Sequence, residues 1–261
     1  MARSPDDELL FEIDGPIAFV TFNRPEVHNA LTWNMYDSLV DCCDRVDEDE
    51  NVRVLVLKGA GDRAFASGTD ISQFTELVEP QDALDYEKRI ERAAARLERV
   101  AKPAIAMLRG ACAGGGAVLA LACDFRFAAP NLRFGVPIAR TLGNCLSMAN
   151  TKRLVDFVGP ARTKELLMLA RLLSAEEAAE LGVVNEVVPA GRLEDRVRAV
   201  AAMLCDHAPL TLIATKEMIR RILAGEQSMN NDGEDLVLSC YMSDRFRESV
   251  RAFVEKKKRK K

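Results

Sequence analysis

The chain has 261 residues, of which 48% are hydrophobic, 29% charged and 6% aromatic, a composition typical of a globular protein with one large domain. No apolar run approaches the ~18 residues that a membrane span needs, and the acidic start lacks the apolar stretch of a signal peptide, so neither a membrane protein nor a secreted protein is expected. The formal net charge of −4 argues against a nucleic-acid-binding protein, and we expect a cytoplasmic protein without nucleic-acid or membrane partners.

The N-terminal segment predicts a hairpin followed by a helix. Two runs, LLFEID at 9–14 and IAFVTF at 17–22, read as strands joined by a Gly-Pro turn. After a polar loop, Thr32 is expected to cap a helix that continues to about Val46, because a threonine side chain satisfies the free N–H groups of a first turn.

Two buried strands are predicted next. The apolar runs VRVLVLKG at 52–59 and PAIAMLRG at 103–110 are continuous, which is typical of strands covered on both faces. Between them we expect a loop at 62–70 and then mixed helical sequence that ends near Val100, before a Lys-Pro pair.

The second half becomes mainly helical. Residues 113–129 read as a glycine-rich turn, a short apolar helix and a strand, and from about 149 onward only residues 183–189 resemble a strand. Strands that alternate with helices indicate an α/β fold. We therefore predict a core domain at 1–195 and a helical C-terminal region with a basic tail at 196–261.

Cysteine and histidine spacing limits the chemistry. The seven cysteines include no CxxC pair, and neither His28 nor His207 has metal-ligand spacing to them. An odd number of cysteines favours a reducing compartment. We expect no metal site and no His-dependent catalytic triad.

The C-terminal tail is strongly basic. The last eleven residues, RAFVEKKKRKK, contain seven basic side chains and one acidic one. Taken from composition alone, this segment is expected to be a solvated end of the chain.

Two glycine-rich turns can carry chemistry. Each follows a buried strand and precedes helical sequence: AFASGTDI at 64–71 and RGACAGGG at 109–116. Small residues allow a ligand to approach the backbone, and the first turn of a helix offers free N–H groups, so two such turns can form an oxyanion hole. Tight helix packing is the alternative explanation of the glycines. No GxGxxG, GK[ST] or GxSxG motif is present, which disfavours dinucleotide, P-loop and serine-hydrolase sites.

Several motifs, taken in chain order, resemble those of the crotonase (enoyl-CoA hydratase/isomerase) superfamily. They are NRP and HNAL at 23–31, AFASGTDI at 64–71, GACAGGG at 110–116, ACD at 122–124, RFG at 133–135, AEEA and LGVVN at 175–185, and FVEK at 253–256. The resemblance covers nearly the whole chain. It implies the ClpP/crotonase-like α/β fold, a spiral of ββα units in two roughly perpendicular sheets, with C-terminal helices that build a trimer, often paired into a hexamer.

The resemblance also implies the site. The backbone N–H groups of Ser67 and Gly115 match the donors that hold an acyl-CoA thioester oxygen as it becomes an enolate; since backbone makes the contact, a serine at 67 is compatible with it. CoA is the substrate carrier, and no separate cofactor is implied. The matching substrate and CoA contacts are Arg24, His28, Ala30, Ala66, Asp70, Ile71 and, from a neighbouring subunit, Phe253 and Lys256. Asp70 is equally well explained as a helix cap.

The chain departs from the hydratase pattern at both acids. By motif alignment the two glutamates belong at Val118 and Ile138, and neither aliphatic side chain can transfer a proton or orient water. General acid–base groups each contribute ~10² to 10⁴-fold, so efficient hydration of a 2-enoyl-CoA is not expected. The loss at Ile138 also weakens a simple isomerase reading.

Substitutes for the missing acids can be sought in two segments. Arg140, Asn144 and Cys145 follow Ile138, and Asp85, Tyr86 and Glu87 lie on the helix that borders the acyl pocket in this family. A solvated surface position is the competing explanation for each of them.

Three hypotheses follow. The first is a crotonase-fold enzyme that stabilises an acyl-CoA enolate for isomerisation, a retro-aldol or lyase step, or modified hydration. The second is an acyl-CoA binding protein that kept the fold and lost the chemistry. The third is ordinary hydratase activity with an unidentified acid. In the tail, Phe253 and Lys256 are predicted CoA contacts across a subunit interface, whereas residues 257–261 are expected to be solvated.

Overall fold

The computed structural model describes residues 7–226 and 233–258. The chain begins with the predicted hairpin, in which β1 (Leu9–Asp14) pairs antiparallel with β2 (Ile17–Phe22). The remaining strands in chain order are β3 (Val54–Gly59), β4 (Ala64–Ala66), β5 (Ala104–Leu108), β6 (Ala111–Ala113), β7 (Phe125–Ala128), β8 (Arg133–Gly135) and β9 (Glu186–Val187).

Ten α-helices occur in the described part of the chain. They are α1 (Trp33–Glu48), α2 (Pro80–Glu98), α3 (Gly115–Ala122), α4 (Ile138–Thr141), α5 (Met148–Met168), α6 (Ala175–Glu180), α7 (Leu193–Asp206), α8 (Pro209–Leu223), α9 (Glu234–Tyr241) and α10 (Asp244–Lys258). The predicted cap of α1 is confirmed, since Thr32 Oγ1 accepts a hydrogen bond from the Met35 N–H at 3.3 Å.

The strands form two sheets. The larger has the order β1-β2-β3-β5-β7-β9 and is parallel apart from the hairpin, and the smaller has the parallel order β4-β6-β8. The predicted loop at 62–70 is therefore wrong in part, because it contains β4, and the sequence patterns did not reveal β6 or β8. Each of these strands has three residues, too few for a periodic pattern.

Two apolar clusters cover the two faces of the larger sheet. Along β3, Leu55 and Leu57 face the cluster that includes α1, α2 and α3, whereas Val54 and Val56 face the cluster that includes α7. This alternation explains why β3 is apolar at successive positions. The predicted domain boundary at 195 lies within α7, and the division of the chain there stays a prediction.

Among the described residues no single helix is long and apolar enough to cross a membrane. One pair, Ala190–Asp206 and Pro209–Leu223, reaches that length and composition only when counted together, and it is bent by 106°.

Candidate active site

The smaller sheet brings three turns to one edge. Because β4, β6 and β8 are parallel, their carboxyl ends lie side by side, and each runs into a segment that the sequence singled out. Ser67 follows β4, the glycine run follows β6, and Ile138 follows β8 after two residues. The sheet that sequence patterns missed is thus the element that assembles the predicted site.

The two glycine turns are in direct contact. A Cβ placed on Gly114 would lie 3.4 Å from the Cα of Gly68, and a Cβ on Gly116 would lie 2.3 Å from the carbonyl oxygen of Ala66. Both Gly68 and Gly114 have positive φ, at +119° and +52°. Glycine is needed here for close backbone approach as well as for backbone conformation.

The two predicted donors are in different situations. Gly115 is the first residue of α3, where the geometry of a helix leaves a backbone N–H without an intrahelical acceptor. The Ser67 N–H donates to the carbonyl oxygen of His28 at 3.1 Å, and the Leu31 N–H donates to the carbonyl oxygen of Gly68 at 2.8 Å. The 28–31 segment therefore lies alongside the turn that follows β4.

Arg24 and Asp70, two predicted CoA contacts, bind each other. Arg24 Nη1 lies 2.8 Å from Asp70 Oδ2 and donates to the carbonyl oxygen of Ala30 at 2.7 Å, and Arg24 Nε is 3.3 Å from Glu8. Burial raises the pKa of Asp70, but hydrogen bonds from Ser72 and Arg24 outweigh it and bring that pKa below its usual value. This ion pair fixes the 24–31 segment against the 67–70 turn.

Asp70 also serves as a cap. Its Oδ1 accepts from the Ser72 N–H at 3.1 Å, at the start of a 3-10 helix over Ile71–Glu76. Ile71 is 56% exposed, whereas Ala66 is completely buried. Capping and ion pairing give Asp70 a clear structural role in addition to any contact with a ligand.

A further cation lies beside His28. The exposed Arg63 places Nη2 2.7 Å from His28 Nε2; since a guanidinium only donates, that ring nitrogen is the acceptor. Arg63 was missed by the sequence analysis, because an arginine in a polar loop gives no signal until the fold brings it to a partner.

The two positions at which the family resemblance places acids have apolar surroundings. Val118 is 1% exposed and belongs to the main core cluster, and the partly buried Ile138 packs against the same cluster at the start of α4. Neither position places a carboxylate at the edge where the glycine turns meet.

Three hydroxyl groups form a chain next to Gly115. Tyr36 OH and Thr69 Oγ1 are 2.8 Å apart, and Thr69 Oγ1 and Tyr86 OH are 3.2 Å apart. A Cβ on Gly115 would lie 2.1 Å from Tyr36 OH and 3.4 Å from Thr69 Oγ1. Of these residues only Tyr86 was a candidate from the sequence, because Tyr36 lies on the buried face of α1, where an aromatic residue indicates core.

Aromatic rings hold Tyr86 in place. Its ring centroid lies 5.2 Å from that of Trp33 and 4.9 Å from that of Phe74, both in edge-on geometry. Burial raises the pKa of Tyr86 to about 12 and raises that of Tyr36 further, so both phenols stay protonated at neutral pH.

Glu87, the other half-buried candidate on α2, has a different partner. Its Oε2 accepts from the Ser147 N–H at 3.0 Å, at the start of α5. Burial, assisted by the charge of Glu91, raises the pKa of Glu87 above its usual value despite the Ser147 hydrogen bond. Glu87 thus acts as a link between two helices.

The other candidates lie on the surface of the described chain. Asp85, Arg140, Asn144 and Cys145 are exposed. Phe253 is 70% exposed on α10, and Lys256 is exposed on the same helix. Residues 259–261 of the basic tail lie outside the described residues, so the expectation for that part of the tail stays a prediction.

The described residues contain a separate cavity of ≈ 600 Å³ at the other end of α3. Its walls include Leu121, Arg153, Phe157, Lys216 and Ile219, and none of the described candidate residues lines it. An eight-residue helix is about 12 Å long, so this cavity is distinct from the edge where the glycine turns meet. In residues 7–226 and 233–258 no group of three or more His, Cys, Asp or Glu side chains could hold a metal ion.

Comparisons with known proteins identify the family and the fold. The family model described as enoyl-CoA hydratase/isomerase matches residues 12–260. The chain is 31% identical to a short-chain-enoyl-CoA hydratase of Clostridium acetobutylicum over 255 residues, which cover 97% of this chain and 96% of the relative. It is also 31% identical to a crotonyl-CoA hydratase of Syntrophomonas wolfei subsp. wolfei over 256 residues, which cover 97% of this chain and 96% of that relative. A crystal structure of an enoyl-CoA hydratase/carnithine racemase from Magnetospirillum magneticum is similar with a TM-score of 0.89 at 31% identity, covering 96% of this chain and 93% of that one.

Proposed function

The chain belongs to the enoyl-CoA hydratase/isomerase family and has the crotonase fold, and from this premise we propose that it binds an acyl-CoA thioester and stabilises its enolate between the backbone N–H groups of Ser67 and Gly115. The contact between the two glycine turns carries the proposal. The neighbours of Ser67, which follows β4, pack against the neighbours of Gly115, which begins α3, and the two donors therefore lie on adjoining turns. A developing negative charge at a helix N-terminus is favourable.

The donor at Ser67 has to be shared. Its N–H already donates to the His28 carbonyl oxygen at 3.1 Å, so a thioester oxygen must share this N–H or replace that acceptor. A charged oxygen is a better acceptor than a neutral carbonyl, and the exchange therefore becomes more favourable as the enolate forms. One such donor contributes roughly 3–4 kcal/mol to barrier lowering in other enzymes.

The reaction we propose is different from standard hydration of a 2-enoyl-CoA. Val118 is buried and Ile138 is partly buried, and neither aliphatic side chain can replace the acid that the family resemblance assigns to its position. Isomerisation, a retro-aldol or lyase step and a modified hydration all use an enolate and remain within the proposal.

The apolar character of these two positions also supports a second candidate function. In this second candidate the protein keeps the turns and binds acyl-CoA, but it does not turn the thioester over. The two candidates make the same prediction for binding and opposite predictions for chemistry.

We propose further that the CoA moiety lies near the 24–31 segment. Arg24 is already paired with two carboxylates, so the exposed Arg63 beside His28 is the better-placed cation for a phosphate. Phe253 and Lys256 would reach the CoA of a neighbouring subunit in a homotrimer or hexamer, and the exposed apolar residues Phe246 and Val250 on α10 support association through this helix. A cytoplasmic location is part of the same proposal.

Titration with acetoacetyl-CoA tests the function. Its α-protons are acidic, and a site that stabilises an enolate should produce the near-ultraviolet absorbance band of the enolate at neutral pH. A panel of acyl-CoA thioesters then separates the candidates: turnover supports the enzyme, whereas binding with the enolate band but no turnover supports the degenerate binder. Binding of acetoacetyl-CoA to saturation without an enolate band would contradict the proposed function.

A further inference from the structure

The hydroxyl chain of Tyr36, Thr69 and Tyr86 has one proton to spare. Three hydroxyl groups carry three O–H donors, and the two contacts at 2.8 and 3.2 Å use two of them. The remaining donor lies on Tyr36, on Tyr86, or on Thr69 when Thr69 accepts from both tyrosines. The residue that carries this remaining donor decides which group can donate a proton to a ligand.

Burial decides the direction. Tyr36 is 1% exposed, and an O–H without an acceptor there would be destabilising, so Tyr36 donates to Thr69. Thr69 and Tyr86 are only partly buried, so the remaining donor lies on one of these two residues. Of these two groups the phenol is a far stronger acid than the aliphatic hydroxyl, so Tyr86 is the residue that can give up a proton.

The hydroxyl chain also lies beside the proposed enolate site. It begins at Gly115, where a Cβ would lie 2.1 Å from Tyr36 OH and 3.4 Å from Thr69 Oγ1, and it ends at a phenol held between Trp33 and Phe74. A polar group fixed by buried partners is better ordered than an exposed side chain such as Arg140 or Cys145.

We propose that Tyr86 is the catalytic proton donor of this site, delivering its phenolic proton to the α-carbon of the enolate held at Ser67 and Gly115, with Thr69 and Tyr36 as positioning residues. This inference rests on the proposed function. In the step, the O–H bond of Tyr86 breaks and a C–H bond forms at the α-carbon. The carbon–carbon double bond of the enolate supplies the electron pair, the thioester C=O is restored, and the Tyr86 phenolate takes a proton from solvent water.

A proton donor without a base selects the substrate class. Tyr86 and Tyr36 are neutral phenols, and Val118 and Ile138 supply no carboxylate, so the site can protonate an enolate more readily than it can create one by removing an α-proton. Loss of CO₂ from a thioester with a carboxylate on its α-carbon needs no base, because the electron pair of the breaking C–C bond becomes the enolate. Apolar side chains at Val118 and Ile138 also disfavour the ionised carboxylate of the substrate relative to neutral CO₂. The geometry therefore points to malonyl-CoA-type thioesters.

The test uses the full chain with malonyl-CoA in D₂O. We expect acetyl-CoA that carries deuterium from solvent. Tyr86→Phe removes one oxygen and should lower kcat by ~10²-fold or more, while the KM for malonyl-CoA and the enolate band with acetoacetyl-CoA stay close to those of the unchanged protein. Thr69→Val should lower kcat less, and Asp85→Asn, the exposed neighbour on α2, serves as the matched control.

The possible failures are distinguishable. If acetoacetyl-CoA gives no enolate band with the unchanged protein, both the proposed function and this inference are wrong. A normal band together with no decarboxylation of malonyl-CoA overturns the inference alone, as does a Tyr86→Phe variant that keeps the kcat of the unchanged protein. If Tyr86→Phe lowers kcat only in proportion to a loss of folded protein, measured by near-ultraviolet circular dichroism, the residue is structural and the inference is also wrong.

Discussion

Replacing Gly116 by alanine tests whether contact between the two turns builds the site. A Cβ at this position would lie 2.3 Å from the carbonyl oxygen of Ala66 and 2.8 Å from the Cβ of the same residue. Both atoms are held by β4 and its pairing with β6, so neither can yield as a flexible side chain would. The turn after β4 must therefore retreat from α3.

The magnitude follows from two opposing effects. Alanine is better than glycine inside a helix by about 1 kcal/mol, which favours the variant. Overpacking a filled interior costs typically about 1–3 kcal/mol, and a backbone obstacle puts this case at the upper end. We expect the free energy of unfolding to fall by about 1–2 kcal/mol, measured by urea denaturation.

Function should suffer more than stability. A shift of the Ser67 turn by a fraction of an ångström misaligns one enolate donor, so we expect the acetoacetyl-CoA enolate band to weaken by at least tenfold at saturating ligand. Gly191→Ala is the matched control, because a Cβ there meets nothing within 4 Å and its φ lies outside the left-handed region. A Gly116→Ala variant that matches Gly191→Ala in stability and in the enolate band would refute the reasoning.

Changes at three other places, namely the two aliphatic positions, Asp70 and the C-terminal tail, have defined outcomes. Ile138→Glu should fold, because the site is partly buried, whereas Val118→Glu should lose about 3 kcal/mol or more because it buries a carboxylate at a 1% exposed position; urea denaturation measures both. A gain in crotonyl-CoA hydration by the Ile138→Glu, Val118→Glu double variant would show that the pocket lost only its acids, and no gain in a folded double variant would contradict this. Asp70→Asn should lower stability at neutral pH; since the folded-state pKa of Asp70 is depressed, the wild-type advantage is present above the unfolded-state pKa and disappears as the pH falls through the folded-state pKa, so a pH-independent difference would refute the assignment. Truncation after Val250 should weaken CoA affinity and reduce its salt dependence, and unchanged values with an unchanged oligomer in sedimentation would exclude a role for the tail.

Local patterns were sufficient for the larger sheet. The hairpin of β1 and β2, the apolar run of β3 and the Thr32 cap of α1 all appear as predicted, because each depends on neighbours in sequence. Long apolar runs also identified β5 and α3. Burial on both faces leaves a readable pattern in such elements.

The smaller sheet and its hydroxyl chain could not be derived in this way. β4, β6 and β8 have three residues each, and their pairing depends on the assembled fold rather than on local preference. Thr69 and Tyr36 are 33 positions apart and meet only because α1 packs beside the turn after β4. Family resemblance pointed to the glycine turns and to positions 118 and 138, but it gave no reason to select Thr69 or Tyr36.

The most direct test of enolate stabilisation at the glycine turns is a crystal structure of the protein with a non-hydrolysable acetoacetyl-CoA analogue bound. We expect the oxygen that corresponds to the thioester carbonyl to lie about 2.7–3.1 Å from the backbone nitrogens of both Ser67 and Gly115. A thioester oxygen bound elsewhere, with the Ser67 N–H still donating only to His28, would contradict it.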